Sequence, residues 1–265
     1  MSILTCATNM SLWRASAMDG KKLSLACMFA LLIVPASVNR VSAQERPKRF
    51  TIWDIHLGDN ASAIPNEYVN YACGTNGGPP SILLPGFTAF TKCKPDSLGL
   101  REVYFEYDDE LEYQARALDN KPEIRMYAGT TAFEFPIVAS VMFDETGRVQ
   151  GERMVTDPRQ HLSRDRSEFW ELANFLRHYY GDENWTCNDL PAEEGEKPVG
   201  DQFIKNHCEK TTSTMHLILE QHLFQKKGQQ FVDPVTGKAQ MDAFESSTRF
   251  EMYEVSVPLR NTTMK

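Results

Sequence analysis

The chain has 265 residues, with 28 basic residues against 36 acidic ones and a formal net charge of −8. That balance repels phosphate backbones and anionic membrane surfaces, so a nucleic-acid partner is excluded. Apolar residues make up 42% and aromatics 11%, enough to build a core, which excludes a disordered chain.

Leu23 to Val34 is an apolar run of 12 residues without charge. Lys21 and Lys22 precede it, and Val41-Ser42-Ala43 follows with small or branched residues at the minus-three and minus-one places. Basic, apolar, small is the order of a cleavable secretory signal. The run falls short of the roughly 20 residues that cross a bilayer, so no stable membrane insertion is expected after cleavage. A start at Met10 or Met18 would give an ordinary signal length. Lipidation at Cys27 is the weaker alternative, since cleavage there leaves almost no apolar segment ahead of the cysteine. Removing residues 1–43 takes away four basic residues and one acidic residue, leaving 24 basic and 35 acidic, a net charge of −11.

Cys6 and Cys27 leave with the signal, and Cys73, Cys93, Cys187 and Cys208 remain. An even count in an exported chain predicts disulfides, with three connectivities open. Local pairing, Cys73 with Cys93 and Cys187 with Cys208, closes the shortest loops and is expected on entropic grounds. Each bond would contribute about 3 kcal/mol. A zinc site would need cysteines two to four residues apart, and none are.

In chain order, Phe50 to Ile55 reads as a strand and Ile64 to Tyr71 as a short helix capped by Ser62. The segment Cys73-Gly-Thr-Asn-Gly-Gly-Pro-Pro-Ser81 must be loop. Arg101 to Tyr107 alternates as a half-buried strand, with Val103, Phe105 and Tyr107 on one face. Leu111 to Ala117 reads as its hairpin partner, although Leu111, Ala115 and Leu118 also fit a helix. Pro136 to Phe143, the turn Asp144 to Gly147, and Arg148 to Val155 form the clearest hairpin. Ser163 to Tyr180 has helical spacing and Gly181 as its stop. Leu190 to Gly200 reads as an acidic surface loop and Phe203 to Cys208 as a short helix. Thr214 to Gln225 is a long strand, Asp233 to Gly237 a turn, and Arg249 to Val257 a last strand. The pattern predicts an α+β fold with antiparallel sheets and few helices. It divides into two halves, 44–158 and 159–265, each stapled by one disulfide and similar in outline.

Leu57-Gly58 and the Cys73 loop, with Gly99-Leu-Arg-Glu-Val, Tyr107-Asp-Asp-Glu110 and Thr156-Asp-Pro-Arg159, together resemble a set of exported bacterial proteins. The resemblance covers most of the chain after the signal and implies a periplasmic setting and no activity. A fainter similarity, through Leu57-Gly58 and the Phe143 to Val149 hairpin, links it to small outer-membrane-assembly lipoproteins and tandem β-lactamase inhibitor proteins.

Candidate sites are few. Gly74, Asn76, Gly77, Gly78, Pro79 and Pro80 form a rigid exposed loop suited to contact. Asp108, Asp109, Glu110 and Glu112 are the densest acidic cluster, without the spacing of a calcium loop. His216 and His222, six apart on a strand, point to one face, and His207 adjoins Cys208. The sequons at Asn60, Asn184 and Asn261 are bystanders in a periplasm. No cofactor or metal is expected. The reading is a periplasmic or secreted binding protein, without catalysis, whose partner is an envelope protein or a small ligand. The alternatives are an enzyme on envelope glycans or peptides using Asp108, Asp109 or Asp157, and a small-ligand carrier. Mass spectrometry of the exported protein should find an N-terminus at Gln44; retention of residues 23–34 would contradict the cleavage.

Overall fold

Polar and apolar residues alternate through most of the strands, and that alternation gives the sheet two unlike faces. The computed structural model describes residues 49–77, 81–108, 110–127, 129–157, 170–228, 230–232, 239–241 and 244–259. In chain order these form β1 (Val69–Cys73), β2 (Arg101–Glu106), α1 (Glu110–Ala117), α2 (Lys121–Tyr127), β3 (Thr131–Ala132), β4 (Phe135–Phe143) and β5 (Val149–Thr156). Then come α3 (Leu172–Tyr179), β6 (Thr186–Asp189), β7 (Glu196–Lys197), β8 (Ile204–Thr211), β9 (Met215–Lys226), β10 (Gln230–Val232), β11 (Ala239–Met241) and β12 (Phe244–Glu254).

One antiparallel sheet runs in the order β1-β2-β4-β5-β12-β9-β8-β6, with β3 added to β4 and β7 to β9. β10 and β11 pair separately. The expected architecture of antiparallel strands with few helices is therefore present. The two blocks β1-β2-β4-β5 and β12-β9-β8-β6 join where β5 pairs with β12, and Pro47–Lys265 is one compact unit. No helix among the described residues is long and apolar enough to cross a membrane.

The first face of the sheet carries the core. Phe105, Phe143 and Phe250 are fully buried there, and truncating such a side chain costs about 3–5 kcal/mol. Two 3₁₀ turns, Ile52–Asp54 and Phe87–Lys92, and helix α3 supply covering residues. Phe87 meets Tyr71 and Phe105 edge to face, with centroids 4.9 and 5.2 Å apart. The Cys73–Cys93 disulfide ties this turn to the end of β1. The Cys187–Cys208 disulfide joins residues directly opposed on β6 and β8. Both are the local pairs expected from loop length.

Glu152 breaks the apolar pattern. It faces the core between Val141 and Met252, is 2% exposed, and its Oε1 has no hydrogen-bond partner. Burial, then the negative charge of Asp59, pushes its carboxyl well above the usual range.

Four local expectations are corrected. Phe50 to Ile55 is not a strand: Asp54 accepts from the Thr51 backbone N–H and hydroxyl at 3.0 and 3.3 Å, closing the 3₁₀ turn. Its apolar residues signalled burial, since Ile52 and Ile55 are 0% and 3% exposed. Ile64 to Tyr71 is not a helix, because residues from Val69 onward pair with β2 as β1. Leu111 to Ala117 is helical and makes no hairpin, since β1 and β4 already occupy both edges of β2. Phe203 to Cys208 is not a helix: from Ile204 onward it is β8, held between β6 and β9. The described part of the Ser163 to Tyr180 helix holds α3, which is capped at Tyr180 and followed by Gly181 with φ +86°. Leu190 to Gly200 is loop except for β7, where Glu196 is buried. The Asp233 to Gly237 turn, Met1 to Arg46 and Asn261 lie outside the described residues.

The folded value of Glu152 is raised, so from about pH 4.5 upward the unfolded chain ionises first. Stability then falls by up to about 1.4 kcal/mol per pH unit until the folded carboxyl also ionises. Glu152→Gln should therefore gain about 1–3 kcal/mol at pH 7 and nothing at about pH 4, read by urea unfolding. An equal effect at both pH values would contradict this.

Candidate functional site

The second face of the sheet is polar because the same alternation that buries one set of side chains turns the other set outward. On β2 it presents Glu102, Tyr104 and Glu106; on β5 Arg153; on β12 Arg249, Glu251 and Tyr253. On β9 it presents His216, Ile218, Glu220 and His222, and on β8 Lys205, His207 and Glu209.

Arg153 is its centre. The side chain is only 12% exposed, so its charge needs partners. Its Nη1 donates to Glu102 Oε1 at 2.5 Å and its Nε to Glu251 Oε1 at 2.8 Å. Glu102 also accepts from Ser140 Oγ at 2.6 Å and from Thr75 Oγ1 at 3.0 Å. Glu251 also accepts from Arg249 Nε at 2.7 Å and from the Tyr253 hydroxyl at 2.8 Å. Burial pushes the Glu251 carboxyl up, but the Arg153 and Arg249 guanidiniums and the Tyr253 hydroxyl outweigh it and hold it below the usual range. Burial first, then the Glu251 charge, raises the Tyr253 phenol. A carboxylate held ionised by three donors keeps its shape and charge rather than moving protons near neutral pH.

Beside this network lies a groove of about 600 Å³. Its floor comes from Glu251 and Tyr253 of β12, His216 and Ile218 of β9, and His207 and Glu209 of β8. Leu98, Val257 and Leu259 form an apolar wall that packs with Tyr253 and Ile218. Gly151 allows this packing, because a Cβ there would lie 2.7 Å from the Tyr253 ring and 2.9 Å from the Met252 carbonyl oxygen. At the far side of the floor, His207 Nε2 is hydrogen-bonded to Glu209 Oε1 at 2.9 Å, and its Nδ1, 3.4 Å from Glu220, has no hydrogen-bond partner. The His222 hydrogen bond holds the Glu245 carboxyl below the usual range, against burial.

The sequence-based candidates fall in different places. The loop Gly74, Asn76 and Gly77 lies against the second face: Gly74 N–H donates to the Glu102 carbonyl at 3.0 Å. Gly77, at φ +63°, sits so close to Tyr104 that a Cβ would stand 2.5 Å from its ring. Gly78, Pro79, Pro80 and Asp109 lie outside the described residues, as do the side chains of Glu110 and Glu112. Asp108 is exposed and bonded to Arg49 at 2.8 Å, whereas Asp157 is 2% exposed; neither lines the groove. His216 and His222 do share the second face, together with His207. The four cysteines are oxidised and carry no thiolate. Among the described residues, no group of three or more His, Cys, Asp or Glu side chains is arranged to hold a metal ion.

Sequence reasoning missed Arg153, Glu102, Glu251, Arg249 and Tyr253. The available signal was a lone arginine in mid-strand, with glutamates at alternating positions of two other strands. No protein-family model, curated protein or solved structure matches the chain.

Because the folded carboxyl of Glu251 lies below the ordinary value of 4.5, its contribution is full above that value and is lost as pH falls through the folded one. Glu251→Gln should cost about 2–4 kcal/mol at pH 7, by leaving Arg153 half-paired. Denaturant unfolding at pH 7 and pH 3 checks it: the deficit should shrink at pH 3, and a constant deficit would contradict the assignment.

Proposed function

We propose that this is an exported protein, periplasmic or secreted, that works by binding a partner on the second face of its sheet without catalysing a reaction. The observation that carries this is the groove beside Arg153, where charges already in closed pairs meet an apolar wall. A network whose shape is fixed suits recognition, since little must be reordered on contact. Two disulfides fit oxidising surroundings, and the basic, apolar, small order of residues 21–43 supports export. The resemblance of the Cys73 loop to exported bacterial proteins supports the same setting, and Thr75 of that loop bonds to Glu102 and Arg153 of the network.

The same reading takes the two disulfide-stapled blocks as similar halves. Each contributes a run of antiparallel strands, and the last strand of each, β5 and β12, lies at the junction. The partner is an envelope component, because an exported chain of net charge −11 meets neither nucleic acid nor, by charge, an anionic lipid surface.

The test is to fill the groove. Ile218→Trp places a large ring on the groove floor without touching Arg153. Crosslinking to envelope fractions should recover a partner with the unaltered protein and lose it with Ile218→Trp, while circular dichroism stays the same. Recovery of the same partner by both proteins would contradict the proposal.

A further inference from the structure

The charges on the second face do not balance. Six glutamates lie on it, Glu102, Glu106, Glu209, Glu220, Glu245 and Glu251. Arg153 and Arg249 are committed to Glu102 and Glu251. Lys205 is held by Glu193 and Glu196 at 2.9 and 3.0 Å, and Lys226 lies 3.7 Å from Glu196, with a longer-range effect on Glu245. Glu106 accepts from neutral donors, the Tyr104 hydroxyl and Asn70 Nδ2. That leaves Glu209, which lines the groove on its β8 side and is hydrogen-bonded to His207 Nε2 at 2.9 Å, and Glu220 of β9, which lies 3.4 Å from His207 Nδ1 and opposite Arg249, outside the groove lining. Glu209 is 62% exposed.

Register sets what can reach them. Glu209, Ile218 and Glu251 stand side by side on β8, β9 and β12. Three neighbouring strands span about 10 Å, the length of an extended tripeptide. Leu98, Val257 and Leu259 offer an apolar seat beside Tyr253 and Ile218, on the β12 side of the two carboxylates. In an extended segment, side chains two apart point the same way and stand about 7 Å from each other. A segment lying across the strands can therefore place an apolar side chain on that wall and a cation beside Glu209 and Glu220. The net charge of −11 after residue 43 draws cations toward the chain as a whole.

Resting on the proposed use of this face, we propose that the groove takes an extended segment of a partner protein with an apolar residue and a lysine or arginine two positions apart. The wall supplies burial and the unbalanced glutamates supply selection by charge.

The experiment is fluorescence anisotropy with the purified full chain and a labelled Gly-Leu-Gly-Lys-Gly-Lys-Gly peptide. The expected result is binding of this peptide, at least about tenfold weaker binding of the same peptide with Glu in place of Lys, and further loss at about 0.5 M salt. Glu209→Gln and Glu220→Gln should each weaken it several-fold, and Glu106→Gln, away from the groove, should leave it unchanged. Equal affinity for the two peptides, binding to neither, or full binding by a Glu209→Gln, Glu220→Gln double variant would overturn the inference. If that happens while Ile218→Trp still abolishes crosslinking to an envelope partner, the face binds a partner and only the charge selection is wrong.

Discussion

Arg153 stands on β5 with Glu102 of β2 on one side and Glu251 of β12 on the other, and the rest of the second face is arranged around that contact. A guanidinium taken this far out of water is costly unless its donors are met. Here Nε and Nη1 each reach a carboxylate, and both carboxylates are further held by hydroxyls. The network places Tyr253, which forms the inner side of the groove, and it receives Thr75 from the loop beside Cys73. Glu152, the residue before Arg153, shows the opposite case. It points to the other face, lies among apolar side chains and lacks a partner at Oε1. Two adjacent charged residues of one strand thus have opposite energetic signs, decided by which face the pleat gives each.

The covalent and electrostatic restraints divide the sheet between them. The disulfides act at its outer parts, Cys73–Cys93 beside β1 and Cys187–Cys208 between β6 and β8. Arg153 acts at the middle, where β5 meets β12 across a long stretch of sequence. Contacts between such distant segments form late and at entropic cost, so a strong local interaction at that junction has a clear structural use. Phe250 on the core face of β12, stacked on Tyr180 at 5.0 Å, supports the same junction from the other side.

The hairpin from Phe135 to Thr156 was legible because β4 is a continuous apolar run, buried on both faces, and a glycine turn separates it from the partly alternating β5. The disulfide pairing was legible from loop length alone. The errors came where burial was mistaken for a particular secondary structure. Ile52 and Ile55 are buried in a 3₁₀ turn, and Ile64 and Tyr68 have helical spacing yet are buried in irregular chain. Residues 204–208 belong to a strand and not a short helix because β6 and β9 pair with them on both sides, and Lys205, His207 and Glu209 alternate along its polar face. The candidate site was hidden for a related reason. Arg153 meets Glu102 and Glu251 from 51 and 98 residues away, and no local spacing reveals a pairing of that kind.

The most direct measurement of this account is a double-mutant cycle on Arg153 and Glu251, with Arg153→Met, Glu251→Gln and the pair compared by equilibrium unfolding at pH 7. The expected coupling energy is about 2 kcal/mol, with the double variant much less destabilised than the two single changes added together. Additive effects, within about 0.5 kcal/mol, would contradict it.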